Sequence, residues 1–398
     1  MEDLRLGIIG IGNMGSLHVI MMSEEKVKRC HLTAVCDIKQ SRLDWAKEFW
    51  AGTGHDYDLE YYTDYKDMLA SKNVDLILIS VPHYLHPVIG IEGFRAGKHV
   101  LSEKPVGVYT KKVEEFMAEA KKAREEKGLA FGLMLNMRPE PNYQKIREIV
   151  QSGELGQRKR VNWIITNWYR TQDYYNSGGW RATYAGEGGG VLLNQCPHQL
   201  DLWQWIYGMP KRIRAFTYNG KYHDIEVEDD VTAYAEYEDG STGVFVTTTG
   251  EFPGTNRLEI SGSKGKILYE NGKLLYTKLN MDEREYCFKA NDDFPPLETT
   301  TEEIELGYGK GHRAIVQNLT DHILDGTPLL APGEDGINSL SIANAMVLSS
   351  WTDDWVDLPI DADKYWAMLQ ERIKTSKVKE NVTERVKDMS GTFNMGKK

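Results

Sequence analysis

The run "RLGIIGIGNMGSLH", residues 5–18, constrains the fold more than any other part of the chain. An apolar strand passes directly into Gly10-x-Gly12-x-x-Gly15 and then into a helical pattern. The glycine spacing alone is a weak signal and also fits a structural turn. It gains weight from Asp37, which closes the next apolar run, "LTAVCD" (32–37), 22 residues past Gly15. That is the spacing of a dinucleotide fingerprint. Gly10 permits a tight turn, Gly12 lets the backbone amides of the next turn, with Asn13 and Met14, approach a pyrophosphate, and Gly15 lets helix and strand pack closely. The helix N-terminus adds positive potential for the phosphates. Asp37, followed by Ile38, would accept hydrogen bonds from ribose hydroxyls and repel a 2′-phosphate, which favours NAD over NADP. Lys39 and Arg42 lie close enough to leave NADP open.

The pattern continues as further apolar strands, "VDLILISVP" (74–82), "KHVLSEKP" (98–105) and "LAFGLML" (129–135), with charged helical stretches such as 110–128 between them. Strands this apolar imply a parallel sheet covered on both faces. After about residue 155 the pattern changes. Residues 160–169, 231–250 and 257–277 read as antiparallel strands joined by "DG", "SKG" and "NG" turns, followed by helices over 312–326 and 337–354. The expected organisation is a dinucleotide-binding domain over 1–135, an α+β domain over 136–375, and a polar tail or swap arm over 376–398.

At 398 residues the chain is long enough for two domains. Its net charge of −11, with basic residues scattered, argues against nucleic acid or an anionic membrane surface as partner. No apolar run approaches the ~18–20 residues of a membrane span. The start "MEDLRLGIIGIG" carries no visible signal peptide, so a cytoplasmic location is expected. Four cysteines without a CxxC pair give neither a zinc nor a disulfide framework, and no metal is expected.

"AGKHVLSEKP" places Lys104 at the C-terminal end of a strand, where open α/β sheets bind ligands and where a sealed lysine can take part in proton transfer. An ordinary surface lysine at a strand–loop junction fits that one feature equally well. Together with the fingerprint and "GGGVLLNQCPHQLD" (188–201), however, this segment resembles the glucose–fructose oxidoreductase / inositol dehydrogenase (Gfo/Idh/MocA) family over roughly residues 4–360. "SVPHYLHP" (80–87) is similar to the family's segment beside the nicotinamide, and 136–157 to its domain connection. The resemblance implies an α/β fold: an N-terminal Rossmann domain with a doubly wound parallel sheet, then an α+β domain with a large, open, mostly antiparallel sheet. It also implies oxidation of sugar or cyclitol hydroxyls, and dimers or tetramers formed through that sheet. At the cofactor it places Ser80, Pro82, His83, His86, Glu103 and Lys104. As catalytic residues it implies Lys104 with a D-x-x-x-H pair whose histidine falls on His198. Pro197 suits a first helical turn, and the helix dipole there would keep a neutral imidazole, which a general base needs. Asp201, one turn on, could orient that ring or cap the turn. Asn194 stands where most of the family has aspartate, so it is expected to orient a hydroxyl rather than take its proton. His83 departs too, from a common asparagine.

Five of the ten tryptophans fall between residues 163 and 205. "NWYRTQDYYNSGGWR" (167–181) reads as a loop entering the site, with Trp168, Tyr175 and Trp180 for the C–H face of a sugar and Arg170 or Arg181 for its hydroxyls. Asn136 and His312, the latter in "GYGKGHR", are further candidates for the cleft. Trp163 is expected at a subunit interface, and Trp203 and Trp205 in the core. Such a loop suits a glycoside better than a free monosaccharide, so the expected reaction is NAD-dependent oxidation of a pyranoside hydroxyl at C3. A cyclitol or free-sugar dehydrogenase, a glycosidase working by transient oxidation and elimination, and a non-enzymatic NAD sensor are the alternatives.

Overall fold

A computed structural model of the chain describes residues 3–377 apart from 292 and 294–296, together with 379 and 382. Most of the expected C-terminal tail therefore lies outside the described residues.

Six parallel strands make the first sheet: β1 (Leu4–Ile9), β2 (Cys30–Cys36), β3 (Glu60–Tyr62), β4 (Leu76–Ile79), β5 (His99–Ser102) and β6 (Phe131–Leu133). Their order is β3-β2-β1-β4-β5-β6. The chain direction across the sheet reverses between β1 and β4, which opens a crevice beyond their C-terminal ends. β4 is buried throughout, as a strand covered on both faces must be. The 110–128 stretch forms the helix Thr110–Lys127, which buries Val113, Phe116, Ala120 and Ala123 and ends at Gly128 in the left-handed region. β3 was not legible in the sequence because three half-buried residues carry no period.

The second sheet has nine strands: β7 (Arg158–Ile165), β8 (Arg212–Asn219), β9 (Glu228–Glu236), β10 (Thr242–Thr248), β11 (Asn256–Gly262), β12 (Gly265–Glu270), β13 (Lys273–Leu279), β14 (Thr299–Ile304) and β15 (Val356–Asp357). They lie in the order β14-β13-β12-β11-β7-β10-β9-β8-β15. The sheet is mixed: β7 and β10 run parallel, and the other pairs are antiparallel. One face, with Ile213, Ala233, Phe245, Trp163 and Leu258, is buried under the helices Pro141–Ser152, Pro197–Tyr207 and Gly336–Thr352. The other face is open and presents Ile164, Phe216, Tyr218 and Tyr234.

Trp163 corrects an expectation. It is fully buried on the covered face, between Tyr143 and Phe245, with its indole nitrogen donating to Asn256 at 3.0 Å. It is core, and its neighbour Ile164 faces solvent instead. Trp203 packs on Phe245 as a core residue, whereas Trp205 is half-buried under the guanidiniums of Arg138 and Arg147. Asp201 is the second correction. It neither orients a ring nor caps the helix, because both its oxygens are gripped by Arg138 at 2.8 and 2.6 Å. Arg138 also reaches Asp335 at 2.7 Å, so one buried guanidinium ties the domain connection to two helical segments.

Removing one partner of such a buried pair strands the other charge, at a cost of about 3–5 kcal/mol. Arg138→Met should therefore lower unfolding stability in urea by that amount, and adding Asp201→Leu should restore most of it.

Candidate active site

The glycine turn between β1 and the helix Asn13–Ser23 has the shape a dinucleotide needs. A side chain on Gly15 would meet the Gly10 carbonyl at 1.8 Å, and one on Gly10 would meet the Ser80 carbonyl at 2.3 Å. On Gly12 a side chain would meet nothing within 4 Å. The turn is thus tight where protein packs on protein and open where a pyrophosphate would lie. The helix begins at Gly12 with no side-chain cap, and its first turn, with Asn13 and Met14, borders that space. Asp37 is fixed at the end of β2 by hydrogen bonds from the amides of Ile11 (2.7 Å) and Lys39 (2.9 Å). Ile38 beside it is almost fully exposed. Arg42 donates to the Ile11 carbonyl and the Ser16 hydroxyl, so its guanidinium is committed to the glycine turn. These residues fit an NAD-type cofactor, with Asp37 at the ribose.

The segment after β4 divides in two. Ser80 backs the glycine turn, Pro82 is exposed, and His83 is buried edge-on to Trp180, with its Nδ1 unpaired. His86, expected at the cofactor, instead braces the fold. Its ring nitrogens lie 2.7 Å from the carbonyls of Pro105 and Val81. Glu103 likewise turns inward. One carboxylate oxygen meets His18 Nε2 at 2.7 Å and the other accepts from the Lys104 amide at 3.2 Å. Burial opposes its ionisation, but the hydrogen bond and charge of His18 hold it at about 2.

Lys104 stands where the two domains meet, and its ammonium donates to the Asn194 carbonyl at 2.9 Å. Burial lowers its pKa, and Glu103 and Glu187 oppose that shift. His198 is the second residue of the helix Pro197–Tyr207, with Pro197 at its first position as expected. It is buried, its Nδ1 has no partner, and burial with the nearby Lys104 charge holds its pKa well below 6.5. It is a neutral imidazole at pH 7. His312 does reach this region. It packs edge-on against His18 and contacts the amide of Asn136, and burial lowers its pKa to about 4.

The glycine run ahead of Asn194 has a steric cause. A side chain on Gly188 would strike Val108 at 2.1 Å, and one on Gly190 the Glu228 carbonyl at 1.9 Å. The run threads between the first domain and β9, and so delivers Asn194 to the boundary. From residue 187 to 204, Asn194 alone is not buried. Its amide nitrogen donates to Glu187, a buried carboxylate that was not singled out from the sequence. The acidic residue in "GEGGG" was its only sign.

The aromatic loop closes over this point. Arg181 lies on the rings of Tyr174 and Trp180, 4.7 Å from each, and donates to the Tyr174 hydroxyl at 3.0 Å. Arg170 sits over Trp168 and Tyr174. Tyr174, counted from the sequence only as one of several aromatics, is the hub, because its hydroxyl also reaches Asn194 and Gln195. Tyr175 is placed otherwise. It is buried with its hydroxyl on Thr249 and supports the loop from behind. Buried atoms without partners gather here: Asn136 Oδ1, Trp168 Nε1, Arg170 Nε, Gln195 Oε1 and His198 Nδ1. Each such group costs about 1–3 kcal/mol unless a ligand satisfies it. Among the described residues no cluster could hold a metal ion, and no helix is long and apolar enough to cross a membrane.

Residues 4–131 match the family described as "Oxidoreductase family, NAD-binding Rossmann fold", and residues 143–268 match the GFO/IDH/MocA C-terminal domain. The chain is 27% identical over 350 residues to the uncharacterized oxidoreductase YrbE of Bacillus subtilis, covering 86% of this chain and 93% of that one. It is 26% identical to myo-inositol 2-dehydrogenase of Thermotoga maritima, over 67% of this chain and 75% of that one. The WlbA dehydrogenase of Chromobacterium violaceum, solved in complex with NADH and UDP-GlcNAcA, superposes with a TM-score of 0.76 at 26% identity, covering 91% of this chain and 97% of that one. Fold and cofactor turn thus define an NAD-dependent oxidoreductase. More particularly, the chain belongs to the GFO/IDH/MocA family of sugar and polyol dehydrogenases, the family its sequence motifs resemble.

The two kinds of glycine separate in a binding experiment. Gly12→Ala should keep the wild-type melting temperature and weaken NAD+ binding at least tenfold by calorimetry. Gly15→Ala should lose both, because its new methyl collides with backbone.

Proposed function

We propose that this enzyme oxidises a secondary hydroxyl of a pyranose sugar or glycoside, at C3, passing hydride to NAD+. The carrying observation is the neutral His198 imidazole, its Nδ1 without a partner, near the Lys104 ammonium and beside Asn194, the one half-buried position of an otherwise buried segment. In this reading the hydroxyl lies between Lys104, which donates to its oxygen, and His198, which takes its proton as the C–H hydride leaves for the nicotinamide. The products are a ketone, NADH and a proton held on His198. Asn194 orients the hydroxyl and does not ionise. Similarity to the WlbA dehydrogenase solved with NADH and UDP-GlcNAcA supports a substituted pyranose as the substrate. Trp168, Trp180 and Tyr174 offer faces to the C–H side of the ring, and Arg170 and Arg181 offer donors to its hydroxyls. The open sheet face with Phe216, Tyr218 and Tyr234 is where we place contacts between subunits of a cytoplasmic homo-oligomer.

The test is NADH formation at 340 nm with O- and C-glucosides, free sugars, inositols and a nucleotide sugar. Glycosides or the nucleotide sugar should be turned over and inositols should not. Turnover of inositol alone would make this a cyclitol dehydrogenase, and aglycone release without net NADH would mean oxidation–elimination. His198→Ala should lower kcat about 10²–10⁴-fold, the usual contribution of a general base. Because the pKa of His198 is lowered, the imidazole stays unprotonated as pH falls toward 6.5, and its acid limb in kcat/KM should lie below that value.

A further inference from the structure

Glu187 is 1% exposed and carries a carboxylate between two protein donors. One oxygen accepts from the Ala182 amide at 2.5 Å and the other from the side-chain amide of Asn194. Both contacts are directional. A carboxylate accepts only, so the Asn194 nitrogen must turn toward Glu187, and its carbonyl oxygen is left for Tyr174 and the cleft. We propose that Glu187 is the positioning residue of this active site: it sets the Asn194 amide so that an acceptor faces the substrate hydroxyl, and it supplies, one hydrogen bond away, the buried negative charge that Asn194 itself lacks.

The charge is felt at the reacting groups. Glu187 faces Lys104, Arg181 and Lys379, with Glu228 behind it, and its field helps keep the Lys104 ammonium charged against burial. Burial raises the pKa of Glu187 itself, and Arg181, the Ala182 amide and Asn194 oppose that rise. This inference rests on the reading of Asn194 as a substrate-facing orienter. It adds a reason why asparagine is competent there.

The pair can be inverted without changing its shape. In Asn194→Asp two carboxylates meet, so one must hold a proton or repel the other. Adding Glu187→Gln gives a side chain whose oxygen can still accept from Ala182 while its nitrogen donates to the new aspartate. Glu187→Gln alone keeps the Ala182 contact but turns a donor toward Asn194, whose amide must then flip and show its nitrogen to the substrate.

Four proteins are compared: wild type, each single variant and the double. For stability, Asn194→Asp should lower the melting temperature by roughly 4 °C or more at pH 8 and less at pH 5, and the double variant should recover it. For turnover, Glu187→Gln should lose at least tenfold in kcat with KM for NAD+ unchanged. Its kcat/KM profile should shift toward acid as Lys104 loses a facing carboxylate. The double variant should regain kcat to within a few-fold of wild type. Additive melting temperatures would overturn the pairing, and full kcat in Glu187→Gln would overturn the positioning role. If wild type turns over no sugar or polyol, the oxidation reading falls and the positioning role with it, while the stability cycle still reports on the pair.

Discussion

The ammonium of Lys104 and the backbone carbonyl of Asn194, 2.9 Å apart across 90 residues of chain, join the edge of the cofactor domain to the half-buried Asn194 of the second domain. The proposed chemistry depends on that contact being made. It sets the end of β5 against the segment that carries Asn194 and leads into the helix of His198, and in the proposed reaction so decides where a substrate hydroxyl stands relative to a nicotinamide. The glycine run 188–190 serves the same contact, because bulkier residues would push the loop off Val108 and Glu228.

Around this contact the structure holds an unusual density of buried ionisable groups in opposed pairs. Glu103 is held ionised by His18 beneath Lys104, and Glu187 faces it from the other domain. The two carboxylates oppose the burial that lowers the pKa of Lys104, and burial, with the Lys104 charge beside it, keeps His198 neutral. An ammonium that polarises a hydroxyl and an imidazole that accepts its proton are the two states an alcohol oxidation requires. Burial pushes both groups toward neutrality, and at the lysine the carboxylates push back.

The cofactor domain was largely legible in the sequence because its signals are local: a strand, spaced glycines, and Asp37 at the end of the next strand. Lys104 and His198 were legible through the motifs around them. What escaped depends on contacts that no local period encodes. Trp163 and Ile164 are adjacent in an alternating strand, and only the register against β10 and β11 decides which one is buried. β14, "TTTEEI", has almost no apolar signal and joins the sheet through its backbone pairing with β13. Asp201 is one turn from His198 in sequence, but its partner Arg138 lies 63 residues away. Glu187 carries no local signal, because its contact with Asn194 exists only once the glycine run has folded back.

The most direct test of this account is Lys104→Met, followed by NAD+ affinity and by single-turnover NADH formation with a substrate the wild type oxidises. The account predicts NAD+ binding within a few-fold of wild type and hydride transfer slowed at least a hundredfold, because the lysine acts on the hydroxyl and on the charge state of its neighbours. Unimpaired single-turnover hydride transfer in that variant would contradict it.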